Sequence, residues 1–380
     1  MSKNQDVLKE LENYRNKDFS FSSGHILGSM CTQPHPIANK AYMRFLDTNL
    51  GDPDLFPGSR EIELKYISFL SKLLNAPKEV GSIVGSGGTE SNITAIWIAK
   101  NLTGKKEIII PGSAHFSFEK IASLMDIKIV PVSLNKDYVL DISKVRKKIS
   151  KKTMAIIGIA GSTELGKIDP IAELSDICLD ENIFLHVDAA FGGYVIPFLK
   201  KLNYEVPDYD FKLKGVNSIS IDAHKMGCSA IPLGTLLVRD KKYLEKISVE
   251  SHCVSSKTQS GILGTRSAAP VAAAYAVSKY LGIEGYKKIV KKCMENTFYL
   301  KEKIEDLGLN ITVEPSMNVI GIKLKRPDLV AKKLSDEGWK VNIMDRVSSI
   351  RIVLMPHVTK KTINSFIPVL NKVCKKIGEI

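Results

Sequence analysis

The chemistry in this 380-residue sequence is concentrated in four short segments. The first, Ser86-Gly87-Gly88-Thr89-Glu90-Ser91-Asn92, follows an apolar run and opens a helical pattern. Glycines let backbone N–H groups approach an anion, Thr89 adds a hydroxyl, and a helix N-terminus favours negative charge. The segment therefore reads as a phosphate cradle, with a purely structural strand-to-helix turn as the alternative. It has neither the lysine of a GxxxxGK[ST] loop nor a GxGxxG fingerprint. The second segment is Ser113-Ala114-His115-Phe116-Ser117, whose imidazole could stack on a flat ring. The alternative is a plain helix start with Ser117 as N-cap and Glu119 in the first turn. Lys120, three residues after Ser117, rules out the full capping box.

The third segment, Ile183-Phe184-Leu185-His186-Val187-Asp188-Ala189-Ala190, puts a carboxylate at the end of an apolar run. Open α/β sheets place ligand-binding groups at the carboxyl ends of buried strands. Asp188 there could hold a pyridine nitrogen protonated and strengthen the ring as an electron sink. Ala190 is small enough to lie beneath such a ring; the alternative is an aspartate capping a turn. The fourth segment is Ser220-Ile221-Asp222-Ala223-His224-Lys225-Met226-Gly227. A lysine between a β-run and a glycine turn sits at a strand end. Burial there is expected to depress the amine's pKa and favour the neutral nucleophile that forms imines. His224 could donate to a phosphate, and an ordinary loop lysine is the alternative for Lys225.

All four segments need strand ends to position them. Apolar β-rich runs at 81–85, 107–111, 128–132, 155–160, 183–187, 218–221 and 234–239 alternate with helical patterns such as 89–101, 117–125 and 171–181. That alternation predicts a mostly parallel seven-stranded sheet covered on both faces. A long helical stretch (271–281, then 286–307) leads to strands near 311–313, 319–323 and 350–355 and helices over 328–337 and 362–375. The expected organisation is an N-terminal helix and arm (1–58) that packs elsewhere, a large domain (59–282) and a small C-terminal α/β domain (283–380). In the first helix, Val7, Leu8, Leu11 and Tyr14 fall on one face.

Composition removes several function classes. The formal charge is +13, but the lysines come in scattered pairs such as Lys147-Lys148 and Lys291-Lys292, without interleaved aromatics. A nucleic-acid platform is therefore not expected. No run reaches the roughly 18 apolar residues of a membrane span, and the polar N-terminus lacks a signal-peptide pattern, so the expected location is the cytoplasm. Six dispersed cysteines show no zinc-ligand spacing and read as free thiols, and no metal is expected.

The order of these motifs, with GST-x-x-G between the second and third, resembles the group II decarboxylases of the fold-type I pyridoxal-5′-phosphate (PLP) enzymes. DFKLKGVNSISIDAHKMG is similar to sphingosine-phosphate lyase. GSMCTQPHP, TNLGDPDLF, AHFSFEK, HVDAAFGGYVIPF, ILGTR and IRIVLMPH resemble the archaeal L-tyrosine/L-aspartate decarboxylases, which serve methanofuran and coenzyme A biosynthesis. The resemblance implies that Lys225 binds PLP covalently, Asp188 pairs with its ring nitrogen, and His115 stacks on the ring. It implies that Gly88, Thr89 and His224 hold the phosphate, and that Thr163 lies near ring and substrate. Gly264 and Thr265 would reach the phosphate of the neighbouring subunit, which implies a homodimer with shared active sites. Arg351 is the candidate contact for a substrate carboxylate, and His25 a further candidate for the substrate pocket.

One departure stands out. Aromatic decarboxylases of this group often carry a loop tyrosine that reprotonates Cα, yet between Ser248 and Gly261 the chain reads SVESHCVSSKTQSG. His252 or Cys253, or a residue from elsewhere in the chain, could take that place. The competing readings are a PLP-dependent C–C lyase of the sphingosine-phosphate lyase type, a glutamate decarboxylase, and a non-catalytic scaffold. A nicotinamide oxidoreductase would share the α/β pattern but needs the missing GxGxxG.

Overall fold

A computed structural model describes residues 3–252 and 256–380. Seven strands, β1 (Gly81–Gly85), β2 (Glu107–Pro111), β3 (Lys128–Val132), β4 (Thr153–Ile159), β5 (Phe184–Asp188), β6 (Val216–Asp222) and β7 (Gly234–Val238), form one sheet in the order β1-β7-β6-β5-β4-β2-β3. All seven lie where the sequence predicts strands, and the sheet is parallel except for β7, which runs antiparallel to both β6 and β1. Because β7 is reversed between them, β1 points the same way as β6. The carboxyl ends of β1, β2, β4, β5 and β6 therefore share one edge. Central strands β4 and β5 are buried throughout, while edge strand β3 carries Pro131 and exposed residues. Proline is tolerated at an edge because no neighbour needs its missing N–H.

Helices cover both faces. In chain order they are α1 (Lys3–Arg15), α2 (Pro36–Arg44), α3 (Pro57–Leu73), α4 (Gly88–Thr103), α5 (Ser117–Met125), α6 (Ile142–Lys148), α7 (Ile171–Asp180), α8 (Ile196–Lys201), α9 (Lys242–Glu245), α10 (Ala269–Asp306), α11 (Pro327–Asp336) and α12 (Lys360–Ile377). Successive residues of β4 feed different cores. Ile156 packs with Tyr66, Leu174, Phe198 and Val277 from α3, α7, α8 and α10. Ala155 and Ile157 pack with Ile96 and Phe118 from α4 and α5. This is the period-two consequence of strand geometry. Helix α10 is interrupted at Gly282, whose φ of 55° only glycine adopts readily, between the two helical stretches expected from sequence.

A small hairpin of β8 (Val249–Glu250) and β9 (Thr258–Gln259) precedes α10. Beyond α10, β10 (Asn310–Ile311), β11 (Val319–Lys323), β12 (Asn342–Met344) and β13 (Ser349–Val353) form an antiparallel sheet in the order β10-β11-β13-β12. Strand β12 is not legible in the sequence, being three residues long and largely exposed. This sheet packs its own core, in which Ile320, Ile350 and Ile352 meet Val330, Phe366 and Leu370.

The arm expected to pack elsewhere is built into the chain's own core. Leu27 belongs to the C-terminal cluster, Leu27 N donates to Lys340 O, and Val353 N donates to Leu27 O. On α1, Val7, Leu8, Leu11 and Tyr14 are each more than half exposed. Among the described residues no helix is long and apolar enough to cross a membrane.

Candidate active site

The shared strand edge opens on a cavity of about 340 Å³, lined by residues that follow β1, β2, β4, β5 and β6. After β1 comes the glycine turn. Gly87 has φ of +151°, and a Cβ at Gly88 would sit 3.0 Å from Asp222 Oδ2 and 3.1 Å from Ala190 Cβ. Across the sheet, a Cβ at Gly234 would lie 2.4 Å from the Gly87 carbonyl carbon, so β7 starts hard against this turn. No side chain caps the start of α4, which leaves its first N–H groups for a ligand. Glu90 closes the turn from behind by accepting Ser86 N and Ser86 Oγ, both at 2.7 Å.

Asp188 ends β5 and is 7% exposed at the cavity. Its Oδ2 accepts from Asn92 Nδ2 at 2.8 Å; its Oδ1 accepts from Ala190 N at 3.0 Å and Ser220 Oγ at 3.3 Å. Asn92 Oδ1 faces His186 Nε2 at 3.0 Å, and His186 Nδ1 faces Ser218 Oγ at 2.8 Å. Since Asn92 gives its amide hydrogens to Asp188 and Ser117, its oxygen must accept, so His186 carries hydrogen on Nε2 and Nδ1 accepts from Ser218. Burial pushes His186 down to about 4, which keeps the ring neutral.

His115 lines the cavity after β2. Its Nδ1 accepts from Ser117 N at 3.2 Å, so His115 and not Ser117 caps this turn. Ser117 is already the first helical residue, and its hydroxyl is taken by Asn92. Burial, aided by Lys225 against the opposing pull of Asp188, lowers the His115 pKa.

Lys225 follows β6, and its Nζ is 3.1 Å from Asp222 Oδ2. Its pKa is not depressed as burial alone predicts. Desolvation pulls it down, but the Asp222 and Asp188 carboxylates and the Asp222 hydrogen bond outweigh that and hold it above the usual lysine range. His224 lines the cavity beside it, with Nδ1 2.7 Å from Leu233 O and Nε2 3.6 Å from Asp222 Oδ2.

Comparison with known proteins decides the family. Residues 43–325 match the family model of the pyridoxal-dependent decarboxylase conserved domain. The chain belongs to the pyridoxal-dependent decarboxylase family. It is 45% identical to the L-aspartate decarboxylase of Thermococcus kodakarensis over 98% of each chain. It is 46% identical to the probable L-tyrosine/L-aspartate decarboxylase of Methanothermobacter thermautotrophicus, over 90% of this chain and 96% of that one. Among solved structures it is similar to sphingosine-1-phosphate lyase of Burkholderia pseudomallei, with a TM-score of 0.91 at 24% identity over 99% and 91% of the two chains. At that identity the likeness to the lyase is one of fold. This decarboxylase is accordingly a PLP-dependent amino-acid decarboxylase with a fold-type I architecture.

The residues present fit PLP. The glycine turn and uncapped α4 N-terminus suit a phosphate, and Ser113 Oγ is buried in the cavity wall with no protein partner. Ala190 leaves a flat floor beside Asp188, and an amine stands at Lys225. The structure brings Gly88, Thr89, His115, Thr163, Asp188, Ala190, His224 and Lys225 to this one cavity.

Four other residues singled out in the sequence lie off its lining. Thr265 opens on a small cavity behind Gly85 and Ser86, and Gly264 on a groove beside Gly51. His25 stacks on Trp339 with ring centroids 4.2 Å apart. Arg351 stands one layer behind, its guanidinium donating to Thr163 O and Gly28 O. Its Nε is buried without a partner, and burial, against the weaker pull of Glu164, lowers its pKa to about 10. Arg346, on the turn before β13, donates to Glu164 Oε1 at 2.8 Å and to Gly112 O.

Sequence reasoning passed over Asp222, Asn92 and His186, although all three lie inside the quoted segments. Their signal was polarity inside runs that must be buried, since a buried polar side chain needs a partner. His252 is exposed beside the β8–β9 hairpin, and Cys253 lies outside the described residues.

Proposed function

We propose that the chain decarboxylates L-aspartate to β-alanine, with L-tyrosine to tyramine as the second substrate. The observation that carries this reading is Arg351. A guanidinium 5% exposed, held by two carbonyls, with its Nε unpartnered and no ion pair to a carboxylate among the described residues, is incomplete without an anion. A substrate α-carboxylate beside Thr163 supplies one. Relatives over the full chain carry names with aspartate, with tyrosine and aspartate, and with aspartate and glutamate. For tyrosine stand the apolar wall residues Met30, Phe191 and Ile231.

In this reading Lys225 would be the covalent anchor, Asp188 would pair with the ring nitrogen, and His115 and Ala190 would hold the ring. Gly88, Thr89 and His224 hold the phosphate. When bound, PLP supplies the electron sink for the Cα–carboxylate bond. The protein supplies orientation: Arg351 would draw the substrate carboxylate toward Thr163. His252 or Cys253 delivers the proton to Cα. Two copies form a homodimer in which Gly264 and Thr265 complete the neighbour's phosphate site. The enzyme works in the cytoplasm, and its products feed coenzyme A or methanofuran synthesis.

The test is carbon dioxide release from L-aspartate, L-tyrosine and L-glutamate in parallel, with Lys225→Ala as control. Release from aspartate, abolished in the control, is expected. Release from tyrosine alone would overturn the order of substrates, and release from none would return the C–C lyase reading. Arg351→Gln is expected to raise KM for the true substrate roughly ten- to hundredfold, the worth of about 1.5–3 kcal/mol for a hydrogen bond to a charge. His252→Phe is expected to lower turnover or let aldehyde contaminate the amine; full turnover with clean product would remove His252 as the donor.

A further inference from the structure

Two buried aspartates in this molecule are held in opposite ways. Asp169 accepts a backbone N–H on each oxygen, from Leu140 N and Ile159 N, both at 2.8 Å. That is how a structural carboxylate is satisfied. Asp222 is 1% exposed and has no such donors. Its Oδ1 has no hydrogen-bond partner and lies against the backbone of Gly234, where a Cβ would come within 2.5 Å. Its Oδ2 reaches only Lys225 Nζ at 3.1 Å and His224 Nε2 at 3.6 Å. A carboxylate buried among glycine backbones costs several kcal/mol unless a cation offsets it. The cation here is Lys225.

The position is a functional one. Gly88, in the glycine turn, lets Oδ2 approach where a side chain would be 3.0 Å away. The same oxygen thus touches the phosphate cradle, the cradle histidine and the anchoring lysine. His224 Nδ1 accepts from Leu233 N at 3.1 Å and lies 2.7 Å from Leu233 O. Its Nε2 faces Asp222 Oδ2 at 3.6 Å, which sets imidazole and carboxylate side by side at the amine.

We infer that Asp222 is a positioning residue that sets the protonation state of Lys225: it holds the amine as an ammonium and, with His224, receives the proton when the amine must react. Lys225 can form its bond to an aldehyde only as the neutral amine. The Nζ–carbon bond forms, the carbonyl C–O bond breaks, and the two amine hydrogens leave with that oxygen as water. The third proton of the ammonium goes to the Asp222–His224 pair. Asp188 from β5, His115 from the loop after β2, His224 on the same turn and Cys31 from the N-terminal arm also face the amine. Among the described residues, Asp222 alone forms an ion pair with it.

The inference rests on Lys225 being the cofactor anchor. It is tested on the full-length chain before PLP is added, by competitive trace acetylation across pH with mass-spectrometric quantification of each lysine. Lys225 is expected to titrate above the surface lysines as a class, and Asp222→Asn to lower its midpoint by at least one unit. One unit is about tenfold more neutral amine at a given pH below the midpoint. Asp222→Glu should restore most of the shift. The rate of PLP attachment, read as the absorbance that borohydride bleaches, should move its pH profile the same way in Asp222→Asn. A wild-type midpoint at or below that of surface lysines would overturn the inference without any variant. So would an Asp222→Asn midpoint that stays in place or rises, which would assign the amine to Asp188. Borohydride trapping away from Lys225 would instead overturn the anchor assignment itself.

Discussion

At the residue scale, Asp188 depends on a chain of buried polar side chains. Asn92 donates to it and is in turn fixed by His186 and Ser218. Asn92→Leu keeps the volume but strips a donor from Asp188 and an acceptor from His186. PLP affinity, followed by absorbance titration, is expected to fall about tenfold, the worth of a hydrogen bond of about 1.5 kcal/mol. His186 also predicts a pH dependence of stability. Its pKa falls to about 4 in the folded chain, from an ordinary value of 6.5, because burial disfavours the charged ring. Below pH 6.5 the unfolded chain takes up a proton that the folded chain refuses. Stability is therefore complete above pH 6.5 and is lost as pH falls toward 4. The loss is at most about 3 kcal/mol. Urea melts of wild type against His186→Gln, compared between pH 7 and 4.5, isolate this contribution; parallel slopes would exclude it.

At the scale of elements, one close approach and one ion pair hold the site's frame. Strand β7 begins against the glycine turn, so Gly234→Ala must push a methyl into the Gly87 backbone at 2.4 Å. Overpacking of this kind costs about 1–3 kcal/mol and displaces the turn, so PLP affinity should fall further than the melting temperature implies. Arg266 ties the segment before α10 to α3 and β1, bonding Glu63 Oε1 at 3.0 Å and Val84 O at 2.9 Å. Glu63 is 2% exposed, so Arg266→Leu leaves a buried carboxylate with only the half-exposed Arg60. A destabilisation of about 3 kcal/mol is expected in denaturant melts. The elements themselves were legible. Apolar runs of strand length separated by helical periodicity located all seven strands of the main sheet, because strands buried on both faces are built mostly of apolar residues. The cap of α5 was not legible. Ser117 is the better cap by residue type, but tertiary packing gave its hydroxyl to Asn92 and left the capping to His115.

At the scale of the whole molecule, the C-terminal sheet does more than flank the site. Arg351 on β13 and Arg346 beside it both grip the loop after β4 that carries Thr163, while Leu27 of the arm enters the C-terminal core. Movement of this sheet against the main one would therefore shift Thr163 and Arg351 together. For the proposed homodimer, Thr265→Val is expected to weaken PLP binding. Dilution below the dimer's dissociation constant should weaken it in the same way, as seen by sedimentation velocity alongside absorbance. A monomer that retains full affinity would separate Gly264 and Thr265 from the phosphate site.

The sequence by itself determined the fold class, the strand order of chemistry along the chain, and which side chains could serve as anchor, ring partner and cradle. Those properties are local: a residue type at the end of an apolar run, or glycines before a helix, acts where it stands. Tertiary structure decided what depends on neighbours distant in the chain. It placed Arg351 behind Thr163 rather than in the cavity wall, built the relay from Ser218 to Asp188, and reversed the expected direction of the Lys225 pKa. That last outcome is a competition between desolvation and charge, and its sign turns on a 3.1 Å contact with Asp222 inside a pocket assembled from five strands.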